Sequence, residues 1–222
     1  IDSNKIETIV RKWLVLSVLT GRYSGSPESM FDYDIKRFNL NDPEEYLKSV
    51  ELGQLSDAYW DHILPERLNT SVSSSPYFKL YLMAQVHSYD KGFLSKDISI
   101  EALIANRGDI HHLFPKKYLQ HNGHNSRNDY NQIANYVMTQ SEINIRIKDD
   151  APNVYMGKVL EHIENQNPYI GAITTKKGLE ESFKQNCIPK EFVCYTVDDY
   201  FDFLKQRRYL MAQKIKEYYF SL

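Results

Sequence analysis

Two histidines stand side by side in GDIHHLFPKKYL, residues 108–119, in a chain that holds seven. A histidine titrates near neutrality, so its neutral ring can take a proton from water or give a lone pair to a metal ion. Gly108 and Pro115 bound a short apolar-leaning run, DIHHLF (109–114), which suits a strand. Neighbours on a strand point to opposite sides, so one histidine can hold a metal while the other faces a substrate. Asn135 opens a second short strand, NYVMT (135–139), and Asn144 follows nine residues later. The TQSE run at 139–142 has the form of a capping box and predicts a helix over 140–148. Lys148 then lies four residues beyond Asn144 on the same helical face. Taken alone, such a histidine pair is more often structural or on the surface than a metal site or a base beside its metal.

Helices must carry this segment. Residues 5–20, KIETIVRKWLVLSVLT, place Ile6, Ile9, Val10, Trp13, Leu14 and Ser17 on one face, with Asp2 or Ser3 to cap the start and Gly21 to end it. Ser26-Pro27, Asp42-Pro43 and Ser75-Pro76 each pair an N-cap residue with proline at the first helical position. LSDAYWDHIL (55–64) is also helical in pattern, so 1–100 reads as a bundle of about four or five helices. Residues 101–150 change texture to strand, long polar loop, strand and helix. Residues 151–222 return to helices, over 152–165, 177–185 and 196–220. The last is capped by Thr196 and carries the stripe Tyr200, Phe203, Leu204, Leu210, Met211, Ile215. The KQRR run at 205–208 is expected on its solvated face.

Composition narrows the function classes. The 222 residues are 42% hydrophobic and 25% charged, an ordinary globular mix, and the net charge of −2 does not advertise nucleic-acid binding in bulk. Any such contact must be a local patch. Cys187 and Cys194 have neither a zinc spacing nor a disulfide framework, so they read as reduced thiols of a cytoplasmic protein. WLVLSVL (13–19) is too short to span a bilayer, and no signal peptide is visible. The start at Ile1 rather than Met suggests a fragment of a longer protein.

DIHHLFP followed by NYVMTQSEIN resembles the HNH, or ββα-metal, nuclease motif. The paired histidines match its first strand, Asn135 its central asparagine, and Asn144 its last position. The flanking runs RKWLVLSVLTGRYSGSPES, DIHHLFPKKYL, IAN, INIRIKDDAP and FLKQRRYLMAQKI are similar to the C-terminal half of bacterial GmrSD-type restriction and phage-defence proteins. The resemblance covers most of the chain. It implies a mainly α (α+β) protein, a helical bundle with an embedded ββα-metal core at 101–150. It also implies a metal-dependent endonuclease that hydrolyses DNA phosphodiester bonds. By the same resemblance His112 is the general base, His111 and Asn144 are metal ligands, and Asn135 ties down the long loop and orients His112. Lys148 stands where relatives carry a third histidine ligand, which suggests a phosphate or transition-state contact instead. The few protein ligands suit Mg²⁺ with several waters, with Mn²⁺ as the alternative. Implied partners are DNA and an N-terminal nucleotide-hydrolysing domain of the full-length protein. No GxxxxGK[ST] loop occurs here, so that activity lies elsewhere.

Lys116, Lys117, Arg127 and Arg146 flank the motif and together form a candidate phosphate-neutralising patch. His121 and His124 in QHNGHN read as loop residues. Arg22 and Tyr23 either touch DNA or organise the helical segment. Trp13, Trp60 and the tyrosines read as core. The competing functional class is a nucleic-acid-binding module with a degenerate, inactive nuclease site. A structural zinc module is a weaker third, because the two cysteines lie far along the chain.

Overall fold

The computed structural model describes residues 3–106 and 108–222, the side chain of Asp109 excepted. It is mainly helical, with a single two-stranded sheet among the described residues. The N-terminal part holds α1 (Ser3–Thr20), α2 (Pro27–Leu40), α3 (Pro43–Gln54), α4 (Leu64–Arg67) and α5 (Pro76–His87), and α6 (Ile100–Ala105) follows. A π-helical turn, Tyr59–Ile63, leads directly into α4. The prolines at 27, 43 and 76 open α2, α3 and α5, where a missing N–H costs nothing. Only Asp42 caps with its side chain, accepting from the Glu44 and Glu45 amides; Ser26 and Ser75 occupy cap positions without a side-chain bond. Gly21 ends α1 at φ +65°, a region open to glycine at little cost. Ser3 lies inside the helix, and Asp2 lies outside the described residues.

The face expected for α1 is not the one it buries. Val15, Leu16 and Leu19 are buried along with Ile9 and Ser17, whereas Val10 and Leu14 are each 60% exposed and Ile6 is exposed with them. WLVLSVL is apolar on every side of the helix, so its periodicity cannot choose a face. Packing against α3 and α5 chooses it.

Arg22 and Tyr23 organise this region. Arg22 donates to both carboxylate oxygens of Asp34 (2.7 and 2.5 Å) and to the Tyr46 hydroxyl (3.1 Å). Tyr23 and Tyr46 donate to the same carboxylate (2.8 and 2.7 Å), and the Trp13 indole donates to Tyr23. The network ties the turn after α1 to α2 and α3.

The strands are β1 (Asp109–His112) and β2 (Tyr136–Thr139), antiparallel, with Asp109 opposite Thr139 and His112 opposite Tyr136. Between them the expected loop contains two short helices, α7 (Lys116–His121) and α8 (Arg127–Tyr130), and a 3₁₀ turn over Ile133–Asn135. β2 is buried along its whole length and runs into α9 (Ser141–Ile147). The expected capping box at its start does not form. Thr139 ends β2 and donates its hydroxyl to the Phe93 carbonyl, which fastens the strand rather than the helix.

Three helices complete the chain: α10 (Pro152–Glu164), α11 (Lys176–Gln185) and α12 (Tyr200–Ser221). Thr196 forms a capping box with Asp199 in the 3₁₀ turn that leads into α12. The α12 stripe is buried as expected, apart from a half-buried Leu210, but the solvated face is not: Arg207 of KQRR is 0% exposed. Cys187 is buried and Cys194 exposed, both unbridged. One buried cluster runs from Leu16 and Trp60 through Phe114 and Ile143 to Phe192 and Met211, so the core is continuous across residues 100 and 150. Among the described residues no helix is long and apolar enough to cross a membrane.

Candidate functional site

β1 carries the paired histidines, and strand alternation sends their rings to different partners. His111 is 3% exposed. Its Nδ1 lies 2.6 Å from Oδ1 of Asn144, a residue 33 positions away in the sequence. α9 packs on β1 and thereby brings Asn144 to the strand. His112 is half-buried and meets Tyr136 edge-on, ring centres 5.0 Å apart. Its Nε2 lies 3.0 Å from Oδ1 of Asn131. An amide oxygen only accepts, so Nε2 carries the proton and, in the neutral ring, Nδ1 keeps the free lone pair.

Asn135 is fully buried and fastens the segment between the strands. Its Oδ1 accepts from the Phe114 amide (2.8 Å), and its Nδ2 donates to the carbonyls of Phe114 (3.0 Å) and Tyr130 (3.2 Å). Its backbone carbonyl accepts from the Leu113 amide (2.9 Å). Asn135 therefore fixes the chain just after His112, whereas the direct partner of the His112 ring is Asn131. Sequence reasoning missed Asn131. It caps the C-terminal end of α8, four residues before Asn135, in a stretch where asparagines are frequent and no spacing singled it out.

Burial is the main influence on His112 and lowers its pKa. The nearby Lys116 charge lowers it further, and the Asn131 hydrogen bond offsets only part of this. The ring is therefore neutral at pH 7 and available as a proton acceptor.

The four expected cations do not converge. Lys116 stands close enough to act on His112 and places its ammonium 4.9 Å from the centre of the Tyr130 ring. Lys117 is exposed and ion-paired with Asp149 (3.3 Å). Arg127 is exposed in the first turn of α8, and its carbonyl accepts from the Asn131 amide. Arg146 is turned away, its guanidinium 4.8 Å from the Tyr169 ring centre and donating to the Tyr169 carbonyl.

Lys148 does not share a helical face with Asn144. α9 ends at Ile147, and Lys148 is its exposed C-cap at φ +56°, ψ −130°. Three residues separate it from Pro152, which opens α10, so the chain must turn there instead of continuing the helix.

His121 is exposed, and His124 packs against Tyr200 and Phe201, as suits loop residues. Among the described residues no group of three or more His, Cys, Asp or Glu side chains converges. What converges is one imidazole and one amide, with a second imidazole beside them on the same strand. Comparison with known families, curated proteins and solved structures found no match to the chain.

Proposed function

We propose that the chain is a metal-dependent endonuclease of the HNH type that hydrolyses DNA phosphodiester bonds. The observation that carries this reading is the 2.6 Å approach of His111 Nδ1 to Asn144 Oδ1, from a strand and a helix 33 residues apart, beside His112 on the same strand. It sits on the strand–loop–strand–helix order that the HNH resemblance implies. The donor atoms fit a divalent cation. A proton on Nδ1 now joins the imidazole to the amide oxygen; in the other neutral tautomer, with that proton on Nε2, the Nδ1 lone pair and the amide oxygen would together hold a cation. Two neutral protein ligands suit Mg²⁺, or Mn²⁺, with waters completing the shell. Bound there, the ion would offset charge on the phosphate and on the leaving oxygen.

The remaining roles belong to the chain. His112 Nδ1 takes the proton of the attacking water, while Nε2–H stays on Asn131 and holds the ring in that orientation. Asn135 keeps the end of β1 fixed through Leu113 and Phe114. Lys116 brings a positive charge to the site edge, where a phosphate would lie. Lys117 and Arg127 are outer contacts to the DNA backbone. Arg146 and Lys148 have no part in this scheme. The wider setting is bacterial restriction or anti-phage defence in the cytoplasm, with an N-terminal nucleotide-hydrolysing domain as the partner of a nuclease that cuts on its own.

Supercoiled-plasmid cleavage with Mg²⁺ or Mn²⁺ tests the reading. The wild type should nick the plasmid, EDTA should abolish cutting, and His112→Ala should cut about 10²–10⁴-fold more slowly. Equal cutting by the two proteins would refute the role of His112. A wild type that binds DNA but leaves it intact with every metal would instead support an inactive binding module.

A further inference from the structure

Arg207 is a fully buried cation with no carboxylate in contact among the described residues. A buried charge without an opposite charge is costly unless its hydrogen bonds are satisfied. Here backbone carbonyls satisfy them. Nη1 donates to Ala134 (2.7 Å), and Nε and Nη2 both donate to Asn186 (3.3 and 3.2 Å). The planar fork of a guanidinium can hold two carbonyls in different directions at once, which a lysine ammonium on a flexible stem does poorly.

Ala134 immediately precedes Asn135, and Asn135 holds Leu113 and Phe114. Two tyrosines grip neighbouring carbonyls in the same manner. Tyr200, also on α12, donates to Asp129 (2.6 Å), two residues before Asn131. Tyr155, on α10, donates to Leu113 (2.8 Å), the residue after His112. Three carbonyls in and around the segment joining His112 to Asn135 are thus held from outside by α10 and α12.

We infer that Arg207 is a positioning residue for the nuclease site, acting through Ala134 and Asn135 on the placement of His112. This rests on the nuclease reading, but its structural half can be measured without cleavage.

The test compares Arg207→Lys with Arg22→Lys, a control that weakens a buried network remote from the histidines. Hydrogen exchange is followed by mass spectrometry, and plasmid nicking is measured well below either melting temperature. Arg207→Lys should speed exchange over 110–119 and 129–137. It should also lower kcat by about 10²-fold with KM unchanged, the scale expected from a displacement of roughly 1 Å at the reacting groups. Arg22→Lys should speed exchange over 22–46 and leave kcat unchanged.

If Arg207→Lys does not fold, Tyr200→Phe removes the Asp129 grip while keeping the ring. It should then give the same exchange pattern over 129–137 with a smaller loss of kcat. Exchange that rises evenly along the chain, or a kcat within twofold of wild type, would overturn the proposal. If the wild type nicks no DNA, the nuclease reading falls, and the exchange pattern alone decides whether Arg207 grips the loop.

Discussion

His111 and His112 are neighbours on one strand, yet each ring is governed by a different asparagine. Asn144 approaches Nδ1 of His111, and Asn131 approaches Nε2 of His112. The second contact sets a tautomer, because only Nε2–H can meet an amide oxygen. On the proposed nuclease reading, Asn131→Ala should therefore slow plasmid nicking about 10- to 100-fold through kcat while leaving KM and the melting temperature near wild type. An unchanged kcat would show that Tyr136 and the strand alone orient the ring. At this scale the sequence is legible where chemistry depends on spacing. His111 and His112 are marked by their strand and Asn144 by its helix, whereas Asn135, expected to open the second strand, lies in the 3₁₀ turn just before it. Asn131 is not marked, because a loop containing two short helices brings it to His112, and no periodicity encodes that path. Lys148 was misplaced for a related reason. Its position on a helical face assumed a helix that ends one residue earlier.

The elements repeat this division between local signal and packing. The Pro-initiated helices were readable because a proline at the first turn acts on its own backbone. The buried side of α1 was not, since WLVLSVL offers apolar residues all round. Leu16→Ala should cost about 2–5 kcal/mol, whereas Leu14→Ala, on the exposed stripe, should change stability by less than about 0.5 kcal/mol. Urea denaturation of both variants decides which face is packed.

The joint between α1, α2 and α3 has its own pH dependence. Burial alone would raise the Asp34 pKa, but hydrogen bonds from Arg22, Tyr46 and Tyr23 outweigh it and hold the carboxyl below its ordinary 3.8. A depressed carboxyl stabilises the fold in full above that ordinary value and loses its contribution as pH falls through the folded pKa. Asp34→Asn, which leaves Arg22 buried without its counter-charge, should be about 3 kcal/mol less stable than wild type at pH 7. The gap should close as the pH drops below 3.8, as read by thermal melts across a pH series. A gap that stays constant with pH would mean that the network acts through shape and not through charge.

Across the whole molecule, residues 100 and 150 mark changes of texture, while the buried core passes through both. Texture follows local periodicity, and a core is assembled from residues far apart in the chain. α12 shows the difference most clearly. At 1.5 Å per residue its 22 residues extend about 33 Å. Along that length Arg207 holds the segment before Asn135, Gln213 donates to Asp61, Lys214 pairs with Asp90 at 2.5 Å, and Tyr219 donates to Glu51. Every one of those partners lies earlier in the sequence. A ribosome adding roughly 5–20 residues per second makes α12 about 10–40 s after it has made residue 1. Until then Ala134 lacks its guanidinium, and α1, α4 and α5 lack the helix that packs on them. Arg207 emerges roughly 60–100 residues after the histidines and asparagines, so a chain cut short before α12 would carry every candidate site residue and still lack the guanidinium that holds the Ala134 carbonyl.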